Sequence, residues 1–295
     1  MNVDLSIGGV RIRIEDPSRE WRFAPLDPHA AFVVNGRDEP DILLKIRRES
    51  DLPAPQGEPV YSTEGGLWDL HQEDGDLVFS LGAPAEGGAL HRVARLDSAV
   101  TRGEVRIGPA GERDGFHPYP LRYPLDELIL INHLARGRGT ILHACGVRLV
   151  VGGEGRGVLF VGKSGAGKST LARLWGEAGG AEILSDDRIV LRPEGGTARL
   201  YGTPWHGDAR VSSAATAPLD RIFLLAHGTA NRIAPVGPEE ALETLLLNCF
   251  APFYDRGGME WTMDFLQTLL RAVPVARLEF VPEGSAIRHL REAIA

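Results

Sequence analysis

Cysteine is nearly missing from this chain. Cys145 and Cys249 are the only two and stand far apart in sequence, which excludes a disulfide framework and a zinc-type ligand set. Both read as small buried hydrophobes. No apolar run approaches the ~20 residues that span a bilayer, and the first residues lack the charged-then-apolar order of a secretion signal. Basic side chains are outnumbered, 32 Lys and Arg against 40 Asp and Glu for a net charge of -8, so no basic stripe for nucleic acid or an anionic membrane is expected. There is no internal repeat and no low-complexity tail. These absences read as a soluble protein of the reducing cytoplasm, with neither a nucleic-acid nor a membrane partner.

Glycine, by contrast, is concentrated where chemistry is expected. Val158-Leu159-Phe160-Val161 is a short buried-type strand that runs into Gly162-Lys163-Ser164-Gly165-Ala166-Gly167-Lys168-Ser169-Thr170, which matches the phosphate-binding pattern G-x-x-x-x-G-K-[ST] at every fixed position. Leu171, Ala172, Leu174 and Trp175 then give the next segment the apolar face of a helix. Strand, loop and helix follow in the order that the motif requires. Gly162, Gly165 and Gly167 free the backbone to turn successive N–H groups, those of Ser164 and Ala166 among them, toward one phosphate chain. The helix N-terminus adds partial positive charge, Lys168 is placed to reach terminal phosphates, and the Ser169 hydroxyl is placed to ligate Mg²⁺. Nucleotide binding is the firmest expectation.

A second chemical feature follows closely. Glu182-Ile183-Leu184-Ser185 reads as a strand that ends in Asp186-Asp187, and Asp187 lies 19 positions beyond Lys168. That spacing puts the pair on the next strand, beside the phosphates. One aspartate would hold Mg²⁺ and the other accept a proton from an attacking hydroxyl. As bare turn residues they would do neither. Gly202-Thr203-Pro204-Trp205-His206-Gly207-Asp208 is either a segment that covers the site or an ordinary turn with a packed Trp. Arg210 and Arg221 are candidates to neutralise a transferred phosphoryl group.

The length of 295 residues suits one large or two ordinary domains, and two are expected. From residue 1 to about 120 the signals are strands and turns. Val3, Leu5 and Ile7 alternate before Gly8-Gly9, and Val10, Ile12 and Ile14 alternate after it, as in a hairpin. Further strands are expected at Ile42 to Ile46, Leu67 to Leu70, Leu77 to Leu81, Val93 to Leu96 and Val105 to Ile107, with Pro53, Pro55 and Pro59 marking an exposed loop. His29, His71, His91 and His117 show no ligand-like spacing and read as isolated histidines. From 121 to 295 helices and strands alternate. A helix is expected from Leu125, then strands at Thr140 to His143 and Val147 to Val151, and a connection through Gly152, Gly153, Gly155 and Gly157 to the loop strand. Later come a hairpin (Ile189 to Leu191, Arg199 to Tyr201), a strand at Ile222 to Leu225, helices at Glu239 to Cys249 and Trp261 to Leu270, a strand at Val275 to Phe280 and a closing helix at Ala286 to Ile294.

Read together, His143, Gly162 to Ser169 and Ser185-Asp186-Asp187 resemble the catalytic core of the HPr kinase/phosphorylase family and its smaller relatives, over roughly residues 120 to 210. The resemblance implies an α/β (α+β overall) chain with a phosphate-loop core of the HPr kinase or phosphoenolpyruvate carboxykinase type behind a β-rich N-terminal domain. It implies a serine-type kinase using ATP and Mg²⁺, with Lys168 and the loop on the phosphates, Asp187 as base, Asp186 and Ser169 at the metal and His143 supporting the acidic group. Relatives phosphorylate a protein serine, free serine or a serine of a peptide precursor such as a lasso peptide, so the acceptor is a peptide, protein or small-molecule hydroxyl. Relatives of this fold often assemble as homo-oligomers, a form that the resemblance extends to this chain. The Glu-Ile-Arg-Gly signature of true HPr kinases is absent and Lys163 replaces a common acidic residue, which points away from HPr as acceptor and from reverse phosphorolysis. A nucleotide-dependent scaffold in peptide maturation is the competing class. A GTPase ranks below both because no Asn-Lys-x-Asp segment occurs, and a carboxykinase-type reaction ranks lower still.

Overall fold

Alternation of apolar and polar residues builds the first half of the chain. The structure, a computed structural model, describes residues 2–17, 21, 27–36, 38–83, 89–109, 119–151 and 154–294; His117, Gly152 and Gly153 lie outside them. The chain divides into two compact units, one holding the residues up to His133 apart from Ile7–Gly9, the other holding Ile7–Gly9 and everything from Leu134. Strands β1 (Asn2–Ile7), β2 (Val10–Glu15), β3 (Val33–Val34), β4 (Ile42–Arg48), β5 (Tyr61–Ser62), β6 (Trp68–Glu73), β7 (Asp76–Ala83), β8 (Ala89–Leu96) and β9 (Arg102–Ile107) form one sheet in the order β3-β1-β2-β4-β9-β8-β7-β6-β5. Gly8 and Gly9, at φ 62° and 69°, make the turn between β1 and β2, the left-handed pair that a two-residue hairpin demands. Val10, Ile12 and Ile14 are buried and Arg11, Arg13 and Glu15 are not, so one sheet face carries the core. A 3-10 helix, Pro28–Phe32, and helix α1 (Leu125–Leu134) meet through His29, whose Nδ1 and Nε2 lie 2.8 Å from Asp27 Oδ1 and Asp126 Oδ2.

The second unit is mixed α/β. Its strands are β10 (Thr140–Val151), β11 (Glu154–Val161), β12 (Ala181–Ser185), β13 (Arg188–Glu194), β14 (Thr197–Tyr201), β15 (Thr216–His227), β16 (Arg232–Pro235), β17 (Cys249–Phe250) and β18 (Val275–Phe280). Its helices are α2 (Lys168–Ala178), α3 (Pro238–Leu247), α4 (Arg256–Ala272) and α5 (Gly284–Ile294). β11, β10, β13, β14 and β15 pair in that order, and β15 pairs back onto β11 in parallel, which closes a five-stranded ring that β18 and β16 extend. Along β11 the faces alternate: Val158 and Phe160 pack with Leu171 and Trp175 of α2 and Ile287 and Leu290 of α5, whereas Leu159 and Val161 pack with Leu245 of α3 and Leu266 and Leu269 of α4. Burial on both faces is why this strand reads as a continuous apolar run.

Three expected elements change form. Gly155 and Gly157, expected in a connection, lie inside strand β11 and pair with Val150 and Arg148 of β10. Thr140 to His143 and Val147 to Val151 belong to one strand, β10, with a register irregularity between Gly146 and Val147 where β12 pairs with it. A Cβ on Gly146 would meet Ile189 Cδ1 at 2.5 Å, so the glycine that looks like a strand break is a close-packing point inside a strand. Cys249 is not in a helix. Helix α3 stops at Leu247, Asn248 Nδ2 donates to Thr244 O at 2.8 Å, and Cys249–Phe250 pairs with Ile141 and Leu142.

Candidate functional site

The edge of β10 changes partner in the middle of the strand. Thr140 to His143 pairs with β13, and Gly146 to Leu149 pairs with β12. The chain between those two partners is Asp186-Asp187, so the carboxylates emerge where the ladder opens, beside His143. Ala144 N donates to Asp187 O at 3.0 Å. Ser185 holds the turn, accepting from Asp187 N at 3.1 Å and Arg188 N at 3.2 Å while its hydroxyl donates to Trp205 O at 2.8 Å.

The glycine-rich loop supplies the other wall. Gly165 and Gly167 take φ of 80° and 104°, a region that side chains disfavour. A Cβ on Gly167 would also lie 2.6 Å from Phe280 Cζ. With Gly167 as its cap, α2 begins without a side-chain N-cap bond, leaving its first N–H groups directed at the loop.

Loop, carboxylates and histidine share one cleft of about 310 Å³, lined by His143, Ser164, Gly165, Gly167, Lys168, Ser169, Thr170, Arg173, Asp186, Asp187, Gly207 and Asp208. Gly162 and Ala166 are buried beneath the loop and do not line it. Lys168 is 6% exposed; its Nζ donates to Gly162 O and, at 3.2 Å, to Lys163 O. Burial lowers its pKa, against the upward pull of Asp187, Cys145 and Asp186.

Asp186 and Asp187 have different surroundings. Asp186 is 1% exposed and accepts from Gly207 N at 2.8 Å and Ala209 N at 2.9 Å. Asp187 Oδ1 lies 2.8 Å from His143 Nδ1, and its Oδ2 is paired with Arg188. Burial would raise the Asp187 pKa, but the His143 hydrogen bond and the charges of Arg188, His143 and Lys168 hold it below the ordinary carboxylate value. Arg188 also stacks on Phe250, 4.7 Å from the ring centre.

Segment 202–208 is fixed along this turn: Thr203 Oγ1 donates to Arg188 O at 2.6 Å, and Trp205 is 8% exposed. Gly207 and Asp208 line the cleft and Trp205 does not. Arg210 is exposed and Arg221 donates to Ala293 O; neither lines the cleft. The arginines that structure brings to the site are Arg173 and Arg188. Helical spacing offered a signal for Arg173, four residues after Ser169. Sequence marks Gly207 only as a member of the 202–208 segment, expected either to cover the site or to be an ordinary turn; its own constraint is tertiary, since a Cβ there would lie 2.8 Å from Asp186 Oδ2 and 3.3 Å from Ser169 Oγ.

No family model and no curated protein matches the chain. Among solved structures it is similar to the Hpr(Ser) kinase/phosphatase from Coxiella burnetii. The two are 13% identical, the match covers 52% of this chain and 91% of that one, and the TM-score is 0.27.

No cluster of three or more His, Cys, Asp or Glu suited to a metal occurs among the described residues. The hard-oxygen candidates are the Ser169 hydroxyl and the Asp186 carboxylate, which both line the cleft and both approach Gly207 closely. Two protein oxygens with phosphate and water completing the shell suit Mg²⁺. No helix among the described residues is long and apolar enough to cross a membrane.

Proposed function

We propose that the chain is an ATP-dependent kinase that transfers the γ-phosphate to a hydroxyl, serine foremost, of a peptide, protein or small molecule. Its nucleotide-binding domain is the mixed α/β unit from Leu134 onward. The supporting observation is the single cleft in which Gly165, Gly167, Lys168 and Ser169 face His143, Asp186 and Asp187.

In this reading the loop amides and the start of α2 take the phosphates, with Ser164, Gly165, Gly167 and Thr170 contributing backbone N–H groups, while the Ala166 N–H shapes the loop by bonding Lys163 O at 3.0 Å. Lys168 exchanges its loop carbonyls for phosphate oxygens. Ser169 and Asp186 hold Mg²⁺, which when bound neutralises phosphate charge. The acceptor hydroxyl donates to Asp187. As the new O–P bond forms, the O–H proton passes to the Asp187 carboxylate and the bond from the γ-phosphorus to the ADP oxygen breaks. A weakly basic carboxylate suits a loose phosphoryl transition state, in which orienting the hydroxyl matters more than early deprotonation. His143, bonded to the other side of Asp187, keeps that carboxylate anionic and oriented.

A scaffold that binds ATP without transfer is the second reading, favoured by the engagement of both Asp187 oxygens, one by His143 and one by Arg188. Incubation with γ-labelled ATP and Mg²⁺ against free serine, HPr and serine-bearing peptides separates the two. The kinase reading expects label on an acceptor and a loss of about 10²-fold or more in Asp187→Asn. Equal labelling by wild type and Asp187→Asn would remove Asp187 from the reaction, and ATP binding with no label on any hydroxyl would favour the scaffold.

A further inference from the structure

We infer that Arg173 reads the terminal phosphate of the nucleotide and makes the site selective for a triphosphate over a diphosphate, an inference that rests on the phosphate-loop reading above. Two cationic side chains, Lys168 and Arg173, line the cleft with His143. The Lys168 ammonium is committed inside the loop, to Gly162 O and Lys163 O. Arg173 donates from Nη2 to Asp208 O at 3.1 Å and forms no ion pair with a carboxylate among the described residues. Its full charge is therefore set against a neutral carbonyl. A phosphate oxygen is a stronger partner for a guanidinium, through charge-assisted and forked bonds.

Helix geometry directs the side chain. Arg173 follows Ser169 by one turn, about 6 Å along the axis of α2, and side chains on a helix lean toward its N-terminus. The side chain thereby leans back toward Ser169, with which it lines the same cleft. Arg173 is held to Asp208 O, on the backbone that continues from Gly207, whose N–H binds Asp186. Arg173, the loop and both carboxylates line one cleft, so a phosphate chain anchored on the loop would run its last phosphate between Arg173 and the carboxylates that would handle the acceptor. The first two phosphates stay with the loop.

The test is titration calorimetry with ATP and with ADP, each with Mg²⁺, on wild type, Arg173→Gln, Arg173→Lys and the exposed control Arg210→Gln, with thermal unfolding to confirm folding. Wild type is expected to prefer ATP. Arg173→Gln should weaken ATP by about 10- to 100-fold, the equivalent of one charge-assisted bond, with ADP changed by less than about threefold, and Arg173→Lys should fall between. An Arg173→Gln protein that keeps the wild-type ratio of ATP to ADP affinity overturns the inference, whether both affinities hold or both fall together. If wild type binds neither nucleotide, the phosphate-loop reading itself fails and takes the inference with it.

Discussion

At the scale of single residues, the site is governed by what each charge is bonded to. Asp187 is kept anionic by His143 against a burial effect that acts in the opposite direction, which makes the pair testable through pH. In wild type, activity should hold as pH falls until it passes through the lowered Asp187 pKa, below the ordinary ~3.9. Replacing His143 with Ala removes the largest lowering interaction and leaves burial, so the Asp187 pKa rises and the acid limb of the pH–rate profile should move to higher pH. An acid limb that stays in place would disconnect His143 from Asp187. The stability contribution has the same sign, present at higher pH and lost as pH falls through the folded-state value. The Asp-Asp pair, the loop glycines and Lys168 are legible in sequence because their chemistry and spacing are local. Arg188 is not, because what defines it is contact with Phe250, distant along the chain, and Gly207 is legible only as part of a possible covering segment, since its bond to Asp186 is tertiary.

At the scale of elements, the loop and α2 are one device whose geometry depends on Gly167. A Gly167→Ala change forces a side chain into φ 104° and toward Phe280. It should cost about 1–3 kcal/mol of stability and weaken ATP binding, as thermal unfolding and calorimetry would register; unchanged values for both would show that the loop does not need this conformation. In the β-rich unit, α1 is tied to the 3-10 helix by His29 between Asp126 and Asp27. Burial lowers the His29 pKa, but the two carboxylates outweigh it and the pKa is raised. A raised folded-state value adds stability that is complete below the unfolded pKa of about 6.5 and is lost as pH climbs through the folded one. His29→Gln should therefore flatten the decline of stability above about pH 6.5, measured by denaturant unfolding across pH; an unaltered slope would assign the effect elsewhere. Sequence read His29 as isolated because its partners are two and 97 positions away. It split β10 in two because Gly146 carries the composition of a break, and it ran α3 into Cys249 because an apolar residue fits a helix face and a buried strand equally.

At the scale of the whole molecule, strand and helix identities were mostly readable from periodicity, and the ring was not. Its closure depends on the parallel pairing of β11 with β15, whose partners Val158 and Arg221 are joined only through the intervening strands and α2. No local pattern records such a contact. The same closure predicts a hierarchy in amide hydrogen exchange: the paired core of β10, β11 and β15 should exchange most slowly and the terminal strands β3, β5 and β16 first; fast exchange along β11 would contradict the ring. What the ring does for function is to hold the loop after β11 against the carboxylates after β12, and the central claim is that phosphates bind between them. The most direct test is the ATP dissociation constant of wild type, Lys168→Ala and Asp187→Asn, measured by calorimetry with Mg²⁺. The account predicts that Lys168→Ala loses affinity by about 10²-fold, as expected for a phosphate charge left without its ammonium, while Asp187→Asn stays within a few-fold of wild type. ATP binding by Lys168→Ala as tight as that of wild type would contradict it.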